Sequence, residues 1–309
     1  MAFPSAMIGD LDRRYPADRT GYVQVKGGRV WYRLDGARHL ASGRTPAIVI
    51  HGGPGLSHFY LLTLTALADE RPVVLYDQLD CGFADRPGNP ANWTVDRFTS
   101  EIGAVASALG FDRAHVIGHS FGGSLALEHA AGRPETVKSL VLASPLISTP
   151  RWIKDNTAHR DALPDDVRAT IAAHEAAGTT DTKEYHAAVM VFMRRHFCRL
   201  KPSPDELKQS YATFNARLYN VMWGPTEFSA TGTMKSYDAS PCLARLRAPT
   251  LFLCGVHDES TPAANREYAA RVPSARLEVF EDASHCVSLE HPEAFLASVR
   301  QFLATAEAG

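Results

Sequence analysis

The sequence predicts an α/β fold in which a mostly parallel central sheet is interrupted by one inserted helical segment. Short apolar runs rich in Val, Ile and Leu alternate with stretches of helical periodicity along most of the chain. Such runs are typical of strands buried on both faces of a parallel sheet, and their alternation with helices is typical of α/β proteins. From about residue 147 to residue 236 the pattern is helical throughout, with no convincing buried strand.

The strands and helices are predicted in chain order. Residues 21–26 and 29–34 alternate apolar and polar side chains around Gly27-Gly28, which indicates an antiparallel hairpin at a sheet edge. Buried strands follow at Ala47–Ile50, Val73–Tyr76, Ala114–Ile117, Ser139–Ala143 and Thr250–Cys254, and a further strand is predicted at Leu277–Phe280. Helices are predicted at Phe59–Ala68, Val95–Leu109, Ser124–Ala131, Pro262–Arg271 and Pro292–Ala304.

The helical segment divides the chain into three predicted parts. Residues 1–146 form the first part of the α/β core, residues 147–236 a helical cap, and residues 237–309 the second part of the core. Cap helices are predicted at Asp165–Ala177, Thr182–His196 and Pro204–Tyr219. Long insertions in α/β enzymes commonly lie over the carboxyl ends of the strands, where ligands bind. The alternative is a second helical domain with no role at the site.

Composition indicates one enzyme-sized unit without a charged partner. The 309 residues are 45% hydrophobic and carry a net charge of −2, so no basic bias suggests nucleic acid binding. No apolar stretch approaches the length of a membrane span, and the first twenty residues lack the apolar region of a signal peptide. Five cysteines without C-x-x-C spacing favour reduced thiols in a cytoplasmic protein. Nothing in the composition indicates an oligomeric state.

The motif Gly118-His119-Ser120-Phe121-Gly122 has the G-x-S-x-G pattern of a nucleophile elbow. It lies between a short apolar run and a helical stretch, as that elbow requires. Glycines permit the sharp turn and the close backbone approach around a strained serine. Ser120 would then lie at a helix N-terminus, where N–H groups favour developing negative charge, and it is the predicted nucleophile.

A glycine-rich loop upstream is the predicted partner of this elbow in an oxyanion hole. His51-Gly52-Gly53-Pro54-Gly55 follows the strand Ala47–Ile50, where the fold would supply a backbone N–H to a tetrahedral intermediate. The two predicted donors are the backbone N–H groups of Gly53 and Phe121. Losing one such donor typically costs about 2.7–4 kcal/mol of transition-state stabilisation.

The orienting acid and the base are expected downstream of the serine, at strand ends. Asp258 follows the strand Thr250–Cys254, and His285 follows the strand Leu277–Phe280. Asp258 is preferred to Glu259 and Asp282 because the first carboxylate after the turn is the usual triad position. His285 is preferred, on order and spacing, to His51, His115, His119, His257 and His291.

Several motifs together resemble the proline iminopeptidase family of the α/β-hydrolases, a group of serine aminopeptidases and related amino-acid amidases. The matching pieces, which extend from about residue 21 to the end of the chain, are His51 to Gly55, Tyr76-Asp77-Gln78-Leu79, Cys81-Gly82, Asp85-Arg86-Pro87, Trp93-Thr94-Val95, the elbow, Gly224-Pro225-Thr226-Glu227-Phe228, Thr231-Gly232-Thr233, and the Asp258 and His285 loops. The resemblance implies an α/β-hydrolase fold.

The resemblance also implies how a substrate is held. In this family two glutamates bind the free α-amino group, and the matching positions are Glu227 in the cap and Glu259 beside Asp258. A desolvated ammonium group needs formal negative charge and acceptors, which two carboxylates provide. Without the resemblance, Glu227 would be interpreted as a solvated cap residue and Glu259 as a partner of Arg266.

The chain also departs from the family pattern near this site. Asp80 stands where the family commonly has Gly, and Phe83-Ala84 replaces a more polar pair, so an extra carboxylate and an aromatic ring are expected near the site. These departures weaken the expectation of a proline preference. The cap aromatics expected either to shape the pocket or to pack in the core are Phe192, Phe197, Tyr211, Phe214, Tyr219 and Trp223.

The expected activity is acyl transfer without a metal or an organic cofactor. The substrate is expected to be a small molecule or short peptide with a free amino group, and the sequence predicts neither a nucleic acid nor a membrane partner. Because the core carries elbow, oxyanion loop, acid and base, loosening the cap is expected to impair substrate selection more than acyl transfer. The alternatives are a carboxylesterase or lactonase acting on uncharged substrates, and a hydrolase-like receptor that only binds.

Overall fold

The computed structural model describes residues 5–308 and contains one eight-stranded sheet. The strands are β1 Arg19–Val25, β2 Gly28–Asp35, β3 Ala47–Ile50, β4 Val73–Asp77, β5 Ala114–His119, β6 Val137–Ala143, β7 Thr250–Gly255 and β8 Arg276–Phe280. Their spatial order is β1-β2-β4-β3-β5-β6-β7-β8. The β1–β2 hairpin is antiparallel, β2 pairs antiparallel with β4, and every later pair is parallel. The predicted edge hairpin and the five buried strands β3 to β7 are confirmed, and the strand predicted at Leu277–Phe280 is found as β8, which is partly exposed at the other edge of the sheet.

Helices cover both faces of the sheet and occupy the interval between β6 and β7. The α-helices in the described residues are α1 Ser5–Arg14, α2 Val95–Ala108, α3 Phe121–Gly132, α4 Thr149–Asp161, α5 Asp165–Ala177, α6 Lys183–His196, α7 Asp205–Ala212, α8 Ala216–Met222, α9 Pro262–Ala269, α10 Val287–Glu290 and α11 Pro292–Ala308. The 3₁₀ helices are Ala37–His39, His58–Asp69, Pro90–Asn92, Pro134–Thr136 and Ser240–Arg245. No helix of residues 5–308 combines the length and apolar character that crossing a bilayer requires.

Local capping explains where several helices begin. The side chains of Thr94, Thr182, Asn215 and Thr261 each accept a hydrogen bond from a backbone N–H in the first turn of the following helix. Such side chains satisfy donors that a helix start leaves unpaired, and each typically contributes about 1 kcal/mol. Because these caps come from local sequence, α2, α6 and α9 begin close to their predicted positions.

Two predicted helices differ from the structure, and three were not predicted. The stretch expected as an α-helix at Phe59–Ala68 is a 3₁₀ helix. The single helix expected at Pro204–Tyr219 is divided into α7 and α8, since Asn215 donates its N–H to the carbonyl of Gly55 and caps α8. The additional helices are α1, α4 and α10. In α4 only three positions are buried, so its sequence shows little apolar periodicity.

The helices α4 to α8, within the predicted cap of residues 147–236, lie against the end of the sheet where β5, β7 and β8 finish. A cavity there is lined both by residues that follow strands, such as Ser120 and His285, and by residues of α6, α7 and α8. A small separate apolar cluster around Phe192 and Phe228 stabilises the helical segment internally. The carboxyl ends of parallel strands therefore meet the helical segment at one cavity, which is the usual position for a ligand site.

Candidate active site

The predicted nucleophile Ser120 lies at the sharp turn between β5 and α3. Its backbone has φ 57° and ψ −123°, and strained conformations of this kind cluster at functional sites. A Cβ atom on Gly118 would lie 2.3 Å from the carbonyl oxygen of Gly122, and one on Gly122 would lie 2.3 Å from that of Ile50. Both glycines are therefore required, and the motif has the strained strand–turn–helix geometry of a nucleophile elbow.

The predicted oxyanion donors are both available near Ser120. Phe121 is the first residue of α3, where an N–H has no acceptor within the helix. Gly53 has φ 121° in the loop after β3 and lines the same cavity as Ser120. Within residues 5–308, no backbone hydrogen bond uses either N–H group. These two N–H groups are thus suited to donate to the negative oxygen that forms on the carbon attacked by Ser120.

Asp258 and His285 come together from the loops after β7 and β8. The Nδ1 atom of His285 lies 2.8 Å from Oδ1 of Asp258, and both side chains are buried. Three further donors surround the Asp258 carboxylate: the N–H of Ser260 at 2.8 Å from Oδ1, and Ser144 Oγ at 2.5 Å and the N–H of Gly255 at 3.2 Å from Oδ2. The carboxylate is held in one orientation, and it accepts the Nδ1 proton, which leaves Nε2 of His285 as the basic atom.

The competing acid residues do not bond to His285. Asp282 is exposed and forms an ion pair with Arg199 at 2.6 Å. Glu259 has no hydrogen-bond partner on either carboxyl oxygen. His285 lines the same cavity as Ser120, although no hydrogen bond joins their side chains in the part of the chain that the structure describes. The geometry therefore favours Asp258 as the orienting acid.

A hydrogen-bonded chain that the sequence did not predict links the oxyanion loop to the backbone of His285. Tyr60 accepts the N–H of Gly52 at 2.7 Å, and its hydroxyl lies 2.9 Å from Nδ1 of His119. Nε2 of His119 lies 2.9 Å from the carbonyl oxygen of His285, which can only accept, so Nε2 carries the proton. Burial lowers the pKa of His119 to about 3, so the ring is neutral and Nδ1 accepts from Tyr60. His119 is thus a fixed neutral spacer.

Side chains of the helical segment hold the backbone of the loop that carries Asp258. The three contacts are Asn156 Nδ2 to the Glu259 carbonyl at 3.1 Å, His159 Nε2 to the Asp258 carbonyl at 3.2 Å, and His196 Nδ1 to the His257 carbonyl at 2.9 Å. The rings of His159 and His196 stack with centroids 4.0 Å apart. His285 in turn donates its N–H to the carbonyl of His196 at 3.0 Å.

These contacts correct the expectation that the core alone positions the acid and the base. Both loops rest on α4 and α6, which belong to the helical segment. Loosening this segment is therefore expected to impair acyl transfer itself as well as substrate selection.

Replacing His196 by phenylalanine tests this correction. The variant keeps a ring for stacking but loses the donor to His257, and a neutral hydrogen bond is worth about 0.5–1.5 kcal/mol, which corresponds to a two- to tenfold effect. We expect kcat for a small activated ester to fall by about this factor with little change in KM. The matched control is His186→Phe, an exposed histidine of the same helix. If the folded His196→Phe variant hydrolyses the ester at the wild-type rate, the helical segment acts only in substrate selection.

The cavity has a volume of about 680 Å³ and is largely apolar. Four of the six aromatic residues weighed from the sequence line it, namely Phe197, Tyr211, Phe214 and Tyr219. Phe192 and Trp223 do not, because Phe192 packs within the helical segment and Trp223 lies in the main core. The ring of His285 lies 5.4 Å from Phe197 and 5.6 Å from Trp152, centroid to centroid. A substrate carbonyl at Ser120 would therefore be surrounded by aromatic side chains.

Glu227 and Glu259 form an acidic pair beside these residues. Glu227 lines the cavity, accepts a hydrogen bond from the Tyr219 hydroxyl at 2.7 Å, and is linked through its carbonyl to the Trp152 indole at 3.0 Å. Glu259 is 1% exposed, and both its carboxyl oxygens are buried without a partner. The alternative pairing of Glu259 with Arg266 is thus not formed.

Burial raises the pKa of both acidic groups of this pair, and the charge of Glu227 adds to the effect on Glu259. Burial raises the pKa of Glu259 well above its ordinary value, and the nearby charges of Glu227 and Asp258 raise it further. Burial also raises the pKa of Glu227, while the hydrogen bond from Tyr219 and the proximity of His285 oppose that rise. Two buried acidic groups of this kind favour a bound cation that can donate several hydrogen bonds.

The departures from the family pattern are structural. Asp80 has φ 67°, and its carboxylate accepts the Trp93 indole N–H and the Gly88 backbone N–H, both at 2.8 Å. The ring of Phe83 packs against Trp31, with centroids 5.1 Å apart. Neither residue lines the cavity. The expected extra carboxylate and aromatic ring therefore do not reach the site.

Comparison with known proteins places this arrangement among related chains. The family model for the alpha/beta hydrolase fold matches residues 45–292. The proline iminopeptidase of Heyndrickxia coagulans is 41% identical over 284 residues, which cover 92% of this chain and 98% of that protein. The crystal structure of a proline iminopeptidase from Mycobacterium smegmatis superposes with a TM-score of 0.87 at 37% identity, covering 94% of this chain and 99% of that one. The crystal structure of VinJ superposes with a TM-score of 0.90 at 38% identity, covering 94% and 100%.

Proposed function

Since the chain belongs to the proline iminopeptidase family of the α/β-hydrolases, and is thus a hydrolase of the aminopeptidase type, we propose that it releases an N-terminal amino acid through an acyl-enzyme. The proposed substrates are short peptides or amino-acid amides that begin with proline or another small or apolar residue. The observation that carries this proposal is the buried Glu259 carboxylate, unpartnered beside Glu227 and one residue from Asp258.

In the proposed mechanism, His285 takes the proton of Ser120 as the serine oxygen attacks the substrate carbonyl. The N–H groups of Gly53 and Phe121 hold the negative oxygen of the tetrahedral intermediate, and Asp258 keeps the imidazole in the tautomer with a basic Nε2. Protonated His285 then gives its proton to the leaving amine, which departs and leaves an ester on Ser120. Water, activated by the same imidazole, hydrolyses that ester and releases the amino acid.

The acidic pair supports aminopeptidase activity over carboxylesterase or lactonase activity. A neutral ester offers nothing to two desolvated carboxylates, which would remain an unfavourable feature of the complex. A substrate ammonium group, including the secondary ammonium of an N-terminal proline, would offset the negative charge of the pair and donate to the free oxygens of Glu259 and to Glu227. Because Glu227, Ser120 and His285 line one cavity, an amino group held by Glu227 and the adjacent substrate carbonyl can occupy that cavity together.

Glu227→Gln is the variant that tests amine recognition. A charged hydrogen bond is worth about 1.5–3 kcal/mol, so kcat/KM for free-amine aminoacyl arylamides should fall by about ten- to a hundredfold. Turnover of a small neutral ester should change little, and N-acetylation of the substrate should impair the wild type in the same way as the mutation. Equal cleavage of acetylated and free-amine substrates by the wild type would favour the esterase alternative instead.

If the acidic pair exists to bind a cation, Glu227→Gln should raise the stability of the protein while it lowers kcat/KM. The pKa of Glu227 in the folded protein is raised above its ordinary value of 4.5, so folding opposes the ionisation of this carboxyl group. The free energy of unfolding of the wild type therefore falls as the pH rises from 4.5 toward the raised pKa. Glu227→Gln removes one of two like charges and places an amide donor beside Glu259, so Tm should rise at about pH 8 and the gain should shrink toward about pH 5. A merely structural Glu227 predicts a lower Tm at both values.

A further inference from the structure

Two cysteines lie side by side next to the predicted base, and neither has a role in the mechanism. Cys198 follows α6 in the helical segment, and Cys286 directly follows His285. Both belong to the same buried apolar cluster, and the Cys286 N–H donates to the Phe197 carbonyl at 2.9 Å. Because Cys198 directly follows Phe197, this bond places the two cysteines side by side across the junction between the helical segment and the base loop.

The two thiols differ in access. Cys198 lines the cavity and is 8% exposed, whereas Cys286 is 0% exposed behind it. The neighbouring Cys286 thiol lowers the pKa of Cys198, and burial raises the pKa of Cys286. The thiolate is the reactive form of cysteine, so this arrangement presents a nucleophilic sulfur to the cavity and a second thiol within its reach.

We propose that Cys198 and Cys286 form an oxidisable dithiol site, which a small hydroperoxide entering the cavity converts to a disulfide that stops turnover. The Cys198 thiolate attacks a peroxide oxygen, an S–O bond forms as the O–O bond breaks, and the leaving oxygen departs as water or alcohol. The Cys286 sulfur then attacks the resulting sulfenic acid, an S–S bond forms, and water leaves. Two thiols lose two electrons, and one peroxide gains them.

Disulfide formation would disturb the predicted catalytic residues because of its position. A disulfide requires the two sulfurs to approach to about 2.05 Å, which draws Cys286 toward the helical segment. His285 is covalently adjacent and depends on its 2.8 Å bond to Asp258. A displacement of about 1 Å at a reacting group can cost about a hundredfold in rate, so the oxidised protein should be nearly inactive. Reduction by dithiothreitol should restore it.

Mass spectrometry of the full-length wild type tests the site directly. Reduced protein is treated with hydrogen peroxide, quenched with catalase, alkylated under denaturing conditions and digested without reduction. All five cysteines are free thiols in the structure, so five should alkylate before oxidation and three afterwards, with one peptide pair linking Cys198 to Cys286. Activity is followed with a small activated ester, so the result does not depend on whether amine recognition is correct.

Variants distinguish this site from general oxidation. Cys198→Ser should keep its ester activity after peroxide treatment, and Cys286→Ser, in which the disulfide cannot form, should no longer show the loss of activity that dithiothreitol reverses. The matched control is Cys242→Ser, since Cys242 is also 8% exposed but lies away from both thiols, and it should behave as the wild type. The proposal fails if no Cys198–Cys286 peptide forms, if the linked protein stays active, or if Cys198→Ser is inactivated at the wild-type rate.

Discussion

Ser120→Ala is expected to lower kcat by a factor of about 10⁶ while the protein remains folded. The hydroxyl supplies the nucleophile, and no other cavity-lining group replaces it at the elbow. The alanine methyl fits where the serine Cβ already lies, at the same strained φ of 57°, so the turn should survive. Steady-state rates on an aminoacyl arylamide and on an activated ester, with circular dichroism to verify the fold, measure the effect.

Two further single variants and one double variant accompany this experiment. His285→Ala should be similarly inactive, and the double variant should be no worse, because residues that act as a unit are not additive. Ser203→Ala is the matched control, since Ser203 lines the same cavity. Residual activity in Ser120→Ala within about a hundredfold of wild type would remove Ser120 from the role of nucleophile.

The parts of the fold that local sequence specifies could be predicted closely. β3 was predicted with its observed bounds, Ala47–Ile50, because a run buried on both faces is wholly apolar. The cap helix α5 was likewise predicted at its observed bounds. In contrast, α4 was not predicted, because most of its residues are polar. It is held in the fold by hydrogen bonds from Trp152, Asn156 and His159 to other segments.

The same distinction between local and tertiary signals applies to the candidate site. Ser120, Asp258 and His285 could be chosen because motif, order and strand-end placement are visible along the chain. Tyr60, Ser144 and His196 could not be chosen, since each acts through a hydrogen bond to a residue more than fifty positions away. Ser144 also has φ 47°, and nothing in its local sequence indicates that conformation. Partners that only tertiary contacts bring together leave no signal along the chain.

The acidic pair shows what the structure adds to a resemblance. Residue types alone left Glu259 open to pairing with Arg266, and the family likeness alone suggested a role at the amino group. The buried, unpartnered oxygens of Glu259 supply an independent physical reason for that role. The pair is unfavourable in the free protein, and groups that weaken stability in this way are typical of sites that bind charged ligands.

Asp258→Asn is expected to reduce kcat by about 10² to 10⁴, because the site offers the Asp258 carboxylate only donors. His285 Nδ1 and the Ser260 N–H meet Oδ1, while Ser144 Oγ and the Gly255 N–H meet Oδ2. An asparagine amide must therefore direct its NH₂ group at two of these donors. If the NH₂ faces His285, the imidazole must reverse its tautomer, its Nε2 carries a proton and cannot accept that of Ser120, and the loss approaches 10⁴.

If the NH₂ of the introduced amide instead faces Ser144, the Ser144 hydroxyl can rotate and accept a hydrogen bond from it. Only the Gly255 N–H then faces another donor, and in the wild type this N–H lies 3.2 Å from Oδ2 of Asp258. The tautomer of His285 then survives, and the loss should be nearer 10², from the missing charge alone. Adding Ser144→Ala removes the rotating acceptor and should bring the double variant to the larger loss. Measuring kcat for both variants on an activated ester decides between the orientations, and near wild-type turnover in Asp258→Asn would exclude Asp258 as the orienting acid.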